Sequence, residues 1–339
     1  MSQNYEIIDG VYVGPEFWEG DLYLRNTDVK SLGKLKVVTG GVNASGVHTL
    51  CDFGCLKEVG EWLGIKGTSI PSLGSLKKVT WHLDAEGVST LCDLGCLEEV
   101  GRWLDIRGTS ILSLNNLKKV GGSLDAEGVH TLCDLGCLKE VGGSLHIRGT
   151  NIRSLGSLKK VGRDLDASGV STLCDFGCLK EVGGSLYIRG TNVRSLGCLK
   201  KVGRDLDASG VRTLCDFGCL EEVGDYLDII GTSIASLGSL KKVKRHLDAE
   251  MVSTLCDLGC LEKVGGYLDI SGTSVRSLSN LEKVGTCYKL DGSRYLVKYE
   301  EFLEELELLR SIPASELPMY LYDPKYRHPL YQEALGRRS

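Results

Sequence analysis

Leucine, valine and isoleucine recur through most of this chain in coils of alternating length, 20 and 21 residues. Both kinds open L-x-x-V-G-x-x-L-x-[IA], as in Leu179–Cys198 (LKEVGGSLYIRGTNVRSLGC) and Leu199–Cys219 (LKKVGRDLDASGVRTLCDFGC). The opening L-x-x-V stands at Leu35, Leu56, Leu76, Leu97, Leu117, Leu138, Leu158, Leu179, Leu199, Leu220, Leu240, Leu261 and Leu281. A partial copy precedes it at Leu22, Leu24, Thr27, Val29 and Leu32. The string C-D-[FL]-G-C-L begins at Cys51, Cys92, Cys133, Cys174, Cys215 and Cys256, always 41 residues apart. Constant period means that each unit stacks on its neighbours, which predicts a repeat solenoid and favours binding over catalysis. The L-x-[IA] triplet alternates apolar and polar, the mark of a half-buried strand. Leu186 and Ile188 then point inward and Tyr187 outward. Glycines at fixed offsets suit tight corners with positive φ.

The ends break the pattern, as the last coils of a stack must be covered. Residues 1–20, with Phe17 and Trp18, are expected to form an N-terminal cap, and residues 21–290 the array. Residues 295–311 (YLVKYEEFLEELELLRS) carry Leu296, Tyr299, Phe302, Leu303, Leu306 and Leu309 at helical intervals, so a capping helix is expected within 291–311. Residues 312–339 form a Pro/Tyr-rich tail, expected to be extended with a short helix near Leu330–Leu335.

The shorter coil, as in Leu186–Leu196 (LYIRGTNVRSL), resembles the leucine-rich-repeat pattern L-x-x-L-x-L-x-x-N-x-L, with threonine where that family has asparagine. The longer coil departs further, with valine at that place in Leu206–Leu214 (LDASGVRTL). The resemblance, to the bacterial or phage type or to the receptor L-domain, covers about residues 21–290. It implies a curved array with a parallel β-sheet on its concave face; a straighter, three-sided β-solenoid like the L-domain is the alternative.

Net charge is −5 with 25% charged residues, and no block of like charge marks a basic tail. Direct binding to nucleic-acid phosphates is therefore not favoured. The N-terminal segment shows no secretory pattern, and no run of eighteen apolar residues predicts a membrane span. Fourteen cysteines without an export signal point to reduced thiols and a cytoplasmic setting.

Those cysteines admit two readings. Paired thiolates could hold zinc or an iron–sulfur cluster. Yet equivalent cysteines lie two coils apart, roughly 10 Å by strand spacing, too far to share one metal. The position of the second cysteine is also filled by Ser75, Asn116, Ser157, Cys198, Ser239 and Asn280 in the shorter coils. That tolerance describes a structural ladder of small side chains that pack or accept a weak hydrogen bond. No metal or cofactor is implied.

Two outward columns flank the strand leucine. The one after it reads Asn43, Asp84, Asp125, Asp166, Asp207 and Asp248 in the longer coils, and Gly64, Asp105, His146, Tyr187, Asp228 and Asp269 in the shorter ones. The one before it includes Trp62, His82, Trp103, Tyr226, His246 and Tyr267. Aromatic rings beside acid on an exposed sheet make a candidate hot-spot surface for another protein. Equally, each Asp could bond to nearby backbone and only solvate the face. Lys66, Arg107, Arg148 and Arg189 stand where they could neutralise part of the column. Opposite charges also alternate after the opening leucine, Lys–Lys in longer coils and Glu-containing pairs in shorter ones.

No Ser/His/Asp or Cys/His set recurs among the six histidines, and no G-x-x-x-x-G-K-[ST] loop is present. The sequence thus reads as a non-enzymatic protein-binding scaffold, using Trp62, Trp103, Asp84, Asp105, Asp125, His146, Asp166, Tyr187, Asp207, Tyr226, Asp228, Asp248, Tyr267 and Asp269. An acidic mimic of nucleic acid that occupies a DNA-binding enzyme and a thiol-based metal or redox protein are the alternatives.

Overall fold

The computed structural model describes residues 4–278, 280–288, 290 and 296–336. They fall into two compact units. One runs to Leu173 and includes Gly177–Val182; the other holds Cys174–Phe176 and the chain from Gly183. Within each unit the chain winds in coils, and the coils contribute short parallel β segments in three rows.

In the first unit, one row centres on the valine of L-x-x-V and runs from Phe17–Trp18 and Val37–Val38 to Lys160–Val161 and Glu181–Val182. A second row holds the strand leucines, from Leu22–Tyr23 to Leu165–Asp166. A third is made of isolated bridges such as Ser31–Asp52, Ser72–Asp93 and Ser113–Asp134. The second unit repeats the scheme, with Lys201–Val202 paired to Glu222–Val223, Leu186–Tyr187 to Leu206–Asp207, and Ser195 bridged to Asp216. Pairing is in register, so Leu83 lies between Leu63 and Leu104.

This is a leucine-rich-repeat-like parallel β-solenoid with helices at its C-terminal end, and it differs from the expected pattern in one respect. Strand hydrogen bonding is not confined to one wall. The valine row was not anticipated, because its segments are two residues long and too short for alternation to register. Its valines are nevertheless as fully buried as the strand leucines, as Val100 and Leu104 show.

Inside one shorter coil, Val100, Leu104, Ile106, Ile111 and Leu114 are all buried, each worth about 1.5–3 kcal/mol against exposure. In the next, longer coil, Ala126 takes the place of Ile106 and Val129 that of Thr109, both buried. Thr68, Thr109, Thr150, Thr191, Thr232 and Thr273 are buried at the family's asparagine position. Each donates its hydroxyl to the carbonyl three residues earlier, at 2.7–2.8 Å. In the longer coils another threonine bonds downward instead, as Thr131 does to the Ile111 carbonyl at 2.8 Å.

The aspartate of C-D-[FL]-G-C-L holds a corner. Asp52 accepts from the Ser31 hydroxyl one coil below at 2.6 Å and from the Gly54 N–H at 2.9 Å. Asp134, Asp216 and Asp257 make the same two contacts with Ser113, Ser195 and Ser236 and with Gly136, Gly218 and Gly259. Gly54 has φ +54°, and a Cβ there would lie 2.3 Å from the Gly33 carbonyl oxygen, so no other residue fits.

The cysteines correct the sequence reading. Thirteen are exposed, and the ladder lies on the surface rather than packed inside. Thiols of the first column lean on the coil below, with Cys133 Sγ 3.2 Å from the Leu112 carbonyl oxygen and Cys256 Sγ 3.4 Å from that of Ala235. Cys287 alone is buried, and burial pushes its thiol up to about 12.

Alternating charges on the valine row become ion pairs, Lys119–Glu140 at 3.3 Å and Lys160–Glu181 at 3.1 Å in the first unit and Lys201–Glu222 at 3.4 Å in the second. All are substantially exposed and worth at most about 1 kcal/mol each.

At the N-terminal end, Glu6–Ile8 and Val11–Val13 form an antiparallel hairpin, and Tyr5 stacks on Tyr12 at 5.4 Å. Phe17–Trp18 already pairs with the array. At the C-terminal end, Leu296–Lys298 pairs antiparallel with Lys283–Tyr288. Helix α1, Tyr299–Arg310, follows and buries Tyr299, Phe302, Leu306 and Leu309. Leu296, expected on its buried face, is 48% exposed because it belongs to the edge strand. Residues 291–295, where the capping segment was expected to start, lie outside the described residues. The tail is helical over more of its length than expected: α2 is Leu317–Leu321, a 3₁₀ turn spans Pro324–Tyr326, and α3, Pro329–Ala334, stands where the short helix was expected. Each has a proline in its first turn, where the ring starts a helix instead of blocking one. His328 seats the tail. It is buried, Nε2 lies 3.1 Å from the Ile270 carbonyl oxygen and 3.2 Å from Thr273 Oγ1, and Nδ1 accepts the Leu330 N–H at 3.2 Å.

Candidate partner-binding surface

The strand-leucine row carries both outward columns. The residue after the leucine first serves its own turn. Asp105, Asp125 and Asp166 accept the N–H two residues on at 2.9–3.0 Å, from Arg107, Glu127 and Ser168. Asp84 does so from Glu86 at 3.3 Å. In the second unit Asp207, Asp228, Asp248 and Asp269 bond likewise to Ser209, Ile230, Glu250 and Ser271 at 2.9–3.1 Å. One carboxylate oxygen per coil is thus committed to the corner. The other is available to a cation, except that at Asp248 it also accepts the Tyr226 hydroxyl.

In the first unit that cation is supplied internally. Lys66 lies 3.2 Å from Asp84 and 2.6 Å from Glu86. Arg107 reaches Asp105 at 2.6 Å, Glu86 at 3.1 Å and Asp125 at 3.3 Å. Arg148 turns to Glu127, 3.8 Å away. Asp84, Glu86 and Asp105 converge closely enough to suggest a metal site, but Lys66 and Arg107 already occupy that position as counter-charges. In the second unit Arg189 lies 2.7 Å from Asp207 and 3.7 Å from Asp228.

The aromatic column forms a cluster in each unit. In the first, Trp62 lies across Gly41, where a Cβ would meet the indole at 2.3 Å, and Tyr23 approaches it with ring centroids 6.4 Å apart. His82 stacks on Trp103 at 4.8 Å, and the Arg102 guanidinium sits 5.0 Å from the Trp81 ring. His82 Nδ1 is buried with no hydrogen-bond partner, and burial followed by Arg102 lowers the imidazole's pKa. In the second, His246 stacks on Tyr267 at 4.2 Å, and its Nδ1 accepts the Tyr267 N–H at 3.0 Å. Tyr226 packs edge-on against Tyr267 at 6.3 Å, and Tyr288 against Tyr267 at 5.5 Å. The Tyr267 hydroxyl donates to Tyr226, which donates to Asp248, both at 3.1 Å.

The structure therefore gathers Trp103, Asp84, Asp105 and Asp125 near one cluster, with Trp62 beside it. It gathers Tyr226, Asp228, Asp248, Tyr267 and Asp269 in the other. His146 and Asp166 in the first unit, and Tyr187 and Asp207 in the second, lie on the same rows outside those clusters. The sequence reading missed Tyr23, Trp81 and Tyr288. Tyr23 stands in the incomplete first copy and Trp81 one place off the alternating column. Tyr288 joins through a register shift between Val264 and Tyr267, which no pattern discloses.

No family model and no curated protein matches this chain. Among solved structures, it is similar to a leucine-rich repeat protein from Bacteroides ovatus ATCC 8483, with 12% identity over 79% of this chain and 93% of that one and a TM-score of 0.32.

Proposed function

We propose that this chain is a non-enzymatic protein-binding scaffold whose strand-leucine row is the docking face. The observation that carries the reading is the pair of ordered aromatic clusters, each set beside a column of carboxylates on an outward-facing, half-buried β row. Rings held by stacking and hydrogen bonds lose little freedom on binding, which is what makes an aromatic hot spot effective. Asp105, 8% exposed, and its neighbours are tied to corners and paired with Lys66 and Arg107. That arrangement favours a recognition surface over an imitation of phosphates. Thirteen exposed cysteines among the described residues suit a reducing compartment such as the cytoplasm. No described helix is long and apolar enough to cross a membrane.

The test is cross-linking and co-purification of the partner with wild type and with a variant carrying Trp62→Ala, Trp103→Ala, Tyr187→Ala and Tyr226→Ala. Loss of the partner with circular dichroism unchanged is expected. Full recovery moves the docking face elsewhere.

A further inference from the structure

The two aromatic clusters share a sequence plan, Trp62–His82–Trp103 and Tyr226–His246–Tyr267, yet their electrostatics differ. The difference comes from one position. Two residues after the outward site, the shorter coils carry Lys66, Arg107, Arg148 and Arg189, and then Ile230 and Ser271. In the first unit Lys66 and Arg107 sit on Asp84, Asp105 and Asp125. In the second, Arg189 serves Asp207 and only the edge of Asp228. Among the described residues, no ion pair reaches Asp248 or Asp269. Arg245, next to His246 in the chain, is engaged 3.4 Å away with Asp225.

Three carboxylates therefore stand on consecutive coils, roughly 4.8 Å apart, without full compensation. Burial holds the Asp228 and Asp269 carboxyls above the usual range, and Asp248 beside both adds to the effect. Stacked like charges of this kind cost stability until a counter-charge arrives. Alongside them lie the half-buried rings of Tyr226, His246 and Tyr267, fixed by the 4.2 Å stack and the hydroxyl relay to Asp248.

We propose that the Tyr226–His246–Tyr267 column and the Asp228–Asp248–Asp269 column beside it dock an arginine-bearing segment of a partner protein. This deepens the protein-binding reading and rests on it. Charge complementarity selects a cation, and the mix of ring faces and carboxylates selects guanidinium over ammonium. A guanidinium lies flat on an aromatic ring and bonds a carboxylate with two N–H groups, whereas an ammonium is a strongly hydrated point charge. The molecule makes both contacts internally in its first unit. Arg102 lies over Trp81 at 5.0 Å, and Arg107 forks onto both oxygens of Asp105.

Fluorescence anisotropy with labelled (Gly-Arg)₄, (Gly-Lys)₄ and (Gly-Glu)₄ peptides tests this on the full chain. The arginine peptide should bind, in a salt-sensitive way, at least about fivefold more tightly than the lysine peptide, and the glutamate peptide should not bind. Tyr267→Leu and Asp248→Asn should each weaken arginine-peptide binding by about tenfold or more, the scale of a hot-spot residue. Glu262→Gln, which removes one charge from the same unit away from these columns, should leave it unchanged. Absence of binding, equal affinity for arginine and lysine, or indifference to Tyr267→Leu with unchanged circular dichroism overturns the proposal. If the four-alanine variant loses its partner while no arginine peptide binds the wild type, the scaffold reading stands and this assignment falls.

Discussion

The Tyr226 hydroxyl donates to the Asp248 carboxylate of the next coil at 3.1 Å, joining the aromatic and acidic columns of the second unit. Burial, the Tyr267 hydroxyl and the Asp248 charge all hold the Tyr226 phenol far above its usual range. Asp248→Asn removes one of these causes, so Tyr226 should ionise at lower pH than in wild type. Absorbance titration at 295 nm, read against Tyr226→Phe, measures this. Because the folded pKa is raised, the phenol's contribution to stability is intact below pH 10 and is lost as pH rises above it.

His328 predicts an acid-sensitive tail. Burial lowers its imidazole from the usual 6.5 to about 4. A depressed folded pKa means that the unfolded chain takes up the proton first. Stability is therefore full above about pH 6.5 and falls as pH drops toward 4, by about 3 kcal/mol in all. The His328 Cε1 proton in NMR should titrate near the lower value. Urea unfolding of α3 should weaken across this window in wild type and much less in His328→Asn, which starts less stable at neutral pH.

Met251 stands at φ +61° where the equivalent longer coils have Gly87, Gly128, Gly169 and Gly210. Its side chain is 70% exposed, so little packing is lost on removing it. Met251→Gly should stabilise the protein by about 1 kcal/mol, the relief of a left-handed conformation. The urea midpoint is the measurement.

The buried Thr109 hydroxyl donates to the Ile106 carbonyl at 2.7 Å. Thr109→Val keeps the shape and deletes the donor. It should cost about 0.5–1.5 kcal/mol, the net worth of one hydrogen bond, since the Ile106 carbonyl keeps the Thr109 N–H at 3.3 Å. Similar losses are expected at Thr68 and Thr150, since a stacked array responds locally to each coil.

Cys198 and Cys219 occupy equivalent places on adjacent coils, tied by the Cys219 N–H to Gly197 carbonyl bond at 2.9 Å. Rungs about 4.8 Å apart put the exposed thiols within reach of a short bifunctional alkylator. Dibromobimane should cross-link this pair and become fluorescent. Cys198→Ser should abolish the product, as mass spectrometry of the digest would show.

How much was legible follows from which interactions leave a period in the sequence. Leu104, Asp105 and Ile106 alternate plainly, so the strand-leucine row, its inward set and its outward columns were all readable. Val100 was visible as a repeated valine but not as a strand, since its pairing is with coils 20 and 21 residues away and involves two residues. The corner role of Asp52 was hidden for the same reason: its partner Ser31 belongs to another coil. The cysteines show a limit of residue preference. Their repetition was obvious, but small-residue tolerance at Cys178, Cys198 and Cys219 describes an uncrowded exterior as well as a packed interior. At the tail, a proline-rich composition suggests extended chain, yet Pro318 and Pro324 each open a helical turn.

The antiparallel segment Leu296–Lys298 has a consequence for how these molecules behave in concentrated solution. Parallel rows laid down in register offer an identical template at their free edge, onto which a second molecule's first coil could add and then a third. This three-residue stretch, running the opposite way, covers Thr286–Tyr288 and leaves only a very short edge to pair with, which guards against fibre growth.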